Sequence, residues 1–260
     1  MDSLQRLLHL PYAKIDDLEL LVDVIRSADT EVISPAVIYV HGGGWAAGTK
    51  ADTPNELLAA QGFATFSVSY RFSHEAIFPA ALHDVKAAIR WVRANAADLR
   101  VDPERIGIWG HSAGGHLASL AALTGDLVEL EGDSGSAGFS SSVQAAVSLS
   151  GPSWFPAESM HGDAAVAKLL GAHQTENPEL AAFASPVGHI SDGAPPFLIV
   201  HGEADTVVPI SQSELLDERL RGAGVESVLI RVEGAGHSYH ELLAPDVVDR
   251  IVRFFQKHLG

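Results

Sequence analysis

The chain alternates short apolar runs with longer amphipathic stretches, a rhythm that predicts a parallel sheet covered by helices. Leu18 to Ile25, Ala36 to Val40, Phe63 to Tyr70, Arg105 to Trp109, Val143 to Leu149, Phe197 to His201 and Val228 to Val232 read as strands. Between them, Pro79 to Leu99 carries Ala81, Leu82, Val85, Ala88, Ile89, Val92 and Leu99 at helical spacing. Ala113 to Leu123 reads as a small-residue helix, Ile210 to Arg221 as a helix closed by Gly222, and Pro245 to Leu259 as the last helix. Two stretches break the rhythm. Gly125 to Ser142 is rich in Gly, Ser and acid and reads as an exposed loop. Gly151 to Pro196 is a longer insertion between two strands, with a helix expected near Ala164 to Leu170. Long excursions at one edge of a sheet often serve as lids or binding loops.

No internal repeat or long linker interrupts the pattern, so residues 1–260 are expected to form one α/β domain. Composition narrows the partners. The chain has 17 Lys plus Arg against 33 Asp plus Glu, a formal charge of −16. Such a surface repels phosphate backbones and argues against nucleic acid. No basic amphipathic stretch suggests a membrane surface, and no apolar run is long enough to span one. The apolar patch in MDSLQRLLHLPYAK is too short and interrupted for a signal sequence, so a cytoplasmic location is expected. With no cysteine, disulfides, thiolate metal sites and cysteine nucleophiles are excluded.

The candidate chemistry gathers at strand ends. Arg105-Ile-Gly-Ile-Trp109 runs into Gly110-His-Ser-Ala-Gly114 and then into a helix. G-x-S-x-G between strand and helix holds the Ser on a sharp turn with its hydroxyl exposed, making Ser112 the candidate nucleophile. The helix behind it points N–H groups at the site. His41-Gly42-Gly43-Gly44-Trp45 follows the AVIYV strand. Its glycines allow inward-facing N–H donors, and Gly43 and Gly44 with Ala113 are the candidate oxyanion hole. Gly42, Gly44 and Ala47 also fit a G-x-G-x-x-A dinucleotide fingerprint, but no helix opens there and position 62, where an acid is needed, is Gly.

A Ser needs a base, and behind such an elbow the chain order is Ser, acid, His. His201-Gly-Glu-Ala-Asp205-Thr-Val-Val-Pro209 offers Asp205, in its D-x-V-V-P turn, with Glu203 as the alternative acid. Glu233-Gly-Ala-Gly-His237-Ser-Tyr-His240 offers His237, on a glycine-freed loop, with His240 as the alternative base. His-x-x-His followed by Glu241 matches neither zinc motif of this type, so no metal is expected. Trp45, His111, Trp154 and Phe155 are candidate substrate contacts, although Trp45 could equally pack beneath its loop.

With these elements in place the chain resembles the α/β-hydrolase esterases that carry an HGGG loop. These include the hormone-sensitive-lipase-like esterases and the compact feruloyl and acetyl esterase-like proteins. The resemblance rests on His41-Gly-Gly-Gly-Trp45, Ser69-Tyr-Arg71 with Phe78-Pro79, Asp102-Pro-Glu-Arg105, Gly110-His-Ser-Ala-Gly-Gly115, Asp205 and His237, and covers nearly the whole chain. It implies the α/β-hydrolase fold with a mostly parallel eight-stranded sheet, an insertion between strands 6 and 7, a Ser-His-Asp triad and no cofactor. The implied activity is a serine carboxylesterase acting on a small-molecule ester. An aryl-formamide or amide hydrolase, a small peptidase and a non-catalytic binding protein are the alternatives. Two departures, the short N-terminal region and GHSAGG where the lipase-like branch more often has GDSAGG, point to the compact branch. So does Glu129-Leu-Glu-Gly-Asp133 with Gly138-Phe-Ser-Ser.

Overall fold

Strands that are apolar on both faces require cover on both, and the structure supplies it. The computed structural model describes residues 3–125, 127–156 and 163–260. In chain order these form β1 (Leu4–Ile15), β2 (Leu18–Ser27), β3 (Ser34–Val40), α1 (Asn55–Ala59), β4 (Ala64–Val68), α2 (Ala80–Ala94), α3 (Ala96–Leu99), β5 (Val101–His111), α4 (Ala113–Leu123) and β6 (Ala145–Leu149). There follow α5 (Asp163–Leu170), α6 (Pro178–Phe183), β7 (Phe197–Gly202), α7 (Ser211–Gly222), β8 (Ser227–Val232), α8 (Tyr239–Leu242) and α9 (Pro245–Leu259). The sheet order is β1-β2-β4-β3-β5-β6-β7-β8. Strands β3 to β8 run parallel, while β2 is antiparallel to both of its neighbours, β1 and β4.

The period of two sorts each strand between two cores. Ala36, Ile38 and Val40 of β3 pack on one side with Leu82, Val85 and Ile89 of α2 and with α4. Val37 and Tyr39 face the other side, toward Val247, Ile251, Phe255 and Leu259 of α9, which fall at four-residue steps on one face of that helix. Each large apolar side chain so buried contributes roughly 1.5–3 kcal/mol. Helix α4 lies wholly inside, every residue from Ala113 to Ala122 being buried. Its small side chains let it sit close against the sheet.

Two elements differ from the expectation. Strand β1 is the eighth strand, which the hydrophobic pattern alone does not reveal. Pairing with β2 shifts register between Leu7 and Leu10 and again between Pro11 and Ala13, so alternation never settles into a readable period; Pro11 is tolerated because β1 is an edge. The long helix expected over 79–99 divides at Asn95, whose Nδ2 donates to the Trp91 carbonyl at 2.8 Å and competes with the helical ladder. The helix expected inside the insertion is α5.

The parallel register places the site. Val40 of β3 pairs with Gly110 of β5, so the loops leaving both strands emerge side by side. The end of β7 lies two strands away across β6. Ligands of open parallel sheets bind beyond such carboxyl ends.

Candidate active site

Ser112 sits between β5 and α4 at φ 56°, ψ −120°, a conformation that L residues hold only under constraint, at about 1–3 kcal/mol. The surroundings supply it. Ser112 N donates to the Leu149 carbonyl at 2.8 Å. A Cβ at Gly110 would collide with the Gly114 carbonyl, and one at Gly114 with that of Val40. The two glycines are therefore what lets strand and helix pass closely enough to make the turn.

His237 Nε2 lies 2.8 Å from Ser112 Oγ, and its Nδ1 lies 2.7 Å from Asp205 Oδ2. A carboxylate only accepts, so Nδ1 carries the proton and Nε2 offers its lone pair to the serine hydroxyl. The Asp205 side chain is fully buried. Its Oδ1 accepts from Val207 N at 2.8 Å and Val208 N at 2.9 Å. Burial pushes its pKa up, but hydrogen bonds from His201, His237 and the two N–H groups outweigh it, holding the group ionised well below the usual carboxylate range. Of the sequence alternatives, Glu203 is exposed, and the His240 ring packs against Tyr239, tilted by 34° with centroids 4.1 Å apart.

The N–H groups of Gly43, Gly44 and Ala113 meet no acceptor among the described residues. Gly43 has φ 117° and Gly44 φ 59°; a Cβ at Gly43 would collide with the Ala47 carbonyl. The loop is fixed from below. Tyr70 Oη donates to the His41 carbonyl at 3.0 Å and its ring stacks on His41, while Ser73 N donates to the Trp45 carbonyl at 2.7 Å. On the far side, a Cβ at Gly44 would lie 3.7 Å from that of Ala165 in α5, so the insertion flanks the glycine run.

The candidate substrate contacts divide. Trp45 and Phe155 are sealed in the core, 3% and 1% exposed. As the structure stands they cannot touch a substrate: they pack with each other and with His116. Trp154 is half-buried, its backbone bonded to Gln212 of α7. His111 stands at the site. Its Nε2 lies 2.6 Å from the His237 carbonyl, to which it donates. Burial lowers its pKa to about 4, so it is neutral at pH 7 and puts no second cation beside His237.

Two further histidines belong to the assembly. His201, buried at the end of β7, places Nε2 2.9 Å from the Val208 carbonyl and 3.3 Å from Asp205 Oδ2, with Nδ1 2.6 Å from Ser213 Oγ. Both neighbours of Nε2 only accept, so the N–H is shared between them and the serine donates to Nδ1. His116 in α4 accepts from Trp45 Nε1 at 3.2 Å and donates from Nε2 to the Ala184 carbonyl at 2.8 Å. Burial drives its pKa to about 4. Its place three residues into the helix behind the elbow is the only trace it leaves in the sequence.

Comparison with known proteins finds esterases by sequence and by fold. The BD-FAE family model matches residues 22–220. The chain is 34% identical over 234 residues to Esterase LipC of Mycobacterium tuberculosis, an alignment covering 86% of this chain and 58% of LipC. It thus spans little more than half of that relative. Among solved structures it is similar to a truncated carbohydrate esterase from gut microbiota, with TM-score 0.91, 32% identity and 99% and 96% of the two chains covered. It is also similar to the propionate-bound Est2 esterase of Thermogutta terrifontis, with TM-score 0.80, 29% identity and coverage of 98% and 94%. Among the described residues no helix is long and apolar enough to cross a membrane.

Proposed function

The chain belongs to the BD-FAE family, and on that footing we propose that it is a serine carboxylesterase that hydrolyses short-chain acyl esters through an acyl-enzyme on Ser112. The observation that carries the reading is the unbroken relay from Ser112 Oγ through His237 to the buried, ionised Asp205, beside three N–H groups that meet no acceptor among the described residues. The ester carbonyl oxygen lies between the N–H groups of Gly43, Gly44 and Ala113. These stabilise the oxyanion as it forms, one such donor being worth about 2.7–4 kcal/mol of barrier. His237 takes the hydroxyl proton as Ser112 attacks, then passes it to the leaving alkoxide. Asp205 holds the imidazole and balances its charge. Water enters, gives a proton to His237 and attacks the acyl carbon; the bond to Ser112 Oγ then breaks, His237 returns the proton to Oγ, and the acid leaves. Ala165, facing Gly44, narrows the acyl side, in keeping with short chains; the structure of Est2 holds propionate.

Hydrolysis of p-nitrophenyl acetate, butyrate, octanoate and decanoate by the wild type and Ser112→Ala tests the proposal. The expected result is activity on the short chains, decline toward decanoate, and a loss of about 10⁶ in kcat in the variant. Preference for decanoate would refute the short-chain assignment, and equal rates in the two proteins would refute the nucleophile.

A further inference from the structure

His237 must hold Nε2 on Ser112 Oγ, yet the loop that carries it is weakly constrained from within. Gly234 and Gly236 precede the base, Gly234 at φ 72°, and α8 behind it is a single turn of four residues. Misplacing a catalytic group by about 1 Å can cost about 10² in rate. Two bonds fix the loop close to the ring: the Glu241 carboxylate accepts from Gly236 N, and His111 donates to the His237 carbonyl. Neither reaches the loop that carries the oxyanion donors. A third bond does. Tyr239 Oη donates to Asp52 Oδ1 at 2.5 Å, across the cleft that parts residues 49–52 from residues 238–240. The Tyr239 ring packs edge-on against His111, with centroids 5.7 Å apart.

The far end of this bond is firmly rooted. Asp52 N donates to the Thr49 carbonyl at 3.1 Å. Next to Thr49, the buried Lys50 ammonium donates to Asp23 Oδ1 of β2 at 2.5 Å and to His9 Nδ1 of β1 at 2.9 Å. His9 reaches that place at φ 58°, uncommon for a residue with a side chain, where β1 shifts register between Leu7 and Leu10. Its own N–H donates to the same Asp23 oxygen at 2.7 Å. The bulge in the edge strand and the buried ion pair thus have one common result. They anchor residues 49–52 to the sheet, and with them the loop that bears Gly43 and Gly44. We propose that Tyr239 and Asp52 are positioning residues: their bond clasps the base loop to this rooted oxyanion loop and so sets His237 against Ser112. The proposal rests on the esterase reading above. The Tyr239 phenol is pushed up to about 12, by burial first and then by Asp52, so it remains a donor at neutral pH.

The test is a double-mutant cycle on p-nitrophenyl acetate with Tyr239→Phe, Asp52→Ala and the two combined. Asp52 is exposed and Phe keeps the ring, so neither change threatens the fold. Acylation and deacylation both run through His237, so both slow together. In each single variant kcat should fall about three- to tenfold, with KM within about twofold. The double variant should fall no further than either single one. Asp52→Asn keeps an acceptor but drops the charge, so it separates the bond from the field and should recover most of the rate. A rise in KM with kcat unchanged would overturn the proposal, being the mark of a substrate contact. So would additive losses, or an Asn variant as slow as the Ala variant beside an unimpaired Phe variant. Hydrogen exchange followed by mass spectrometry reads the clasp without activity. Amides of residues 233–243 should exchange faster in Tyr239→Phe than in wild type, those of α2 at the same rate. If the wild type cleaves no ester, it is the esterase reading that fails, and exchange alone decides the clasp: faster exchange upholds it, an unchanged rate overturns it.

Discussion

At the scale of single residues the site turns on groups that the sequence offers in pairs. Asp205 and Glu203 lie two residues apart, as do the ends of many turns, and both could follow β7. What separates them is the D-x-V-V turn: Asp205 folds back onto Val207 N and Val208 N, which buries its carboxylate and aims the other oxygen at His237. Asp205→Asn should therefore hold the geometry but stabilise the wrong imidazole tautomer, lowering kcat on p-nitrophenyl acetate by about 10⁴. Glu203→Gln should change it less than twofold. Equal effects would mean that the two acids had been misassigned. The oxyanion donors make a second case. A Cβ at Gly43 would collide with the Ala47 carbonyl, and φ 117° is strained for any L side chain. Gly43→Ala should thus swing one donor out of place and cost about 10²–10³ in kcat with KM little changed. A rise in KM alone would indicate that the glycine serves substrate access instead.

Between elements, the less legible part of the site is the scaffolding that ties loops to one another. The Ser112 elbow and the glycine run were readable because each is a local constraint that a few residues must satisfy together. Ser69-Tyr-Arg71 was readable only as a resemblance, and the structure supplies its reason. Ser69 Oγ bridges to Leu21 of β2, Tyr70 supports the His41 carbonyl, and the Arg71 guanidinium pairs with Asp84 of α2. The bridging role of His116, a histidine whose packing beside the nucleophile the sequence suggests, was not readable, because its partners, Trp45 and Ala184, lie 71 and 68 residues away and no local pattern encodes such a meeting. Strand β1 escaped for a different reason, its bulges breaking the alternation that would announce it. The His116 bridge joins α4, the oxyanion loop and the insertion in one buried network, so its loss should be felt in both stability and rate. His116→Leu leaves Trp45 Nε1 and the Ala184 carbonyl unpaired, at about 1–3 kcal/mol each. The denaturant midpoint should fall accordingly, with kcat reduced more than KM is raised. His116→Gln, which can accept from Trp45 and donate to Ala184, should recover most of both. A Leu variant as stable and active as wild type would show the bridge to be idle.

For the whole molecule, pH separates two sets of titrating groups. Asp205, together with Asp102, Glu131 and Glu226, has its pKa held below the ordinary carboxylate value by hydrogen bonds and ion pairs that outweigh burial where burial opposes them. The stability these groups contribute is present above the unfolded carboxylate range, about pH 4, and is lost only as pH falls below it. The buried histidines act higher. His116 and His111 are both lowered by burial from 6.5 to about 4, and His41 and His83 are lowered in the same direction. Between those limits the unfolded chain binds protons that the folded chain refuses. Folding stability therefore falls as pH drops from 6.5 and levels off for these groups near 4. Each fully shifted histidine contributes a slope of about 1.4 kcal/mol per pH unit in that window, and His116 contributes about 3 kcal/mol across it. Urea unfolding at half-unit steps from pH 7 to pH 4 should show this decline in the wild type. His116→Gln cannot titrate, so its slope between pH 6 and 4.5 should be shallower by about 1 kcal/mol per pH unit, whatever its stability at pH 7. Parallel slopes in the two proteins would mean that His116 takes up its proton in the fold as readily as in the unfolded chain, and so that the Trp45 bond is open there, because a protonated Nδ1 can no longer accept from Trp45 Nε1.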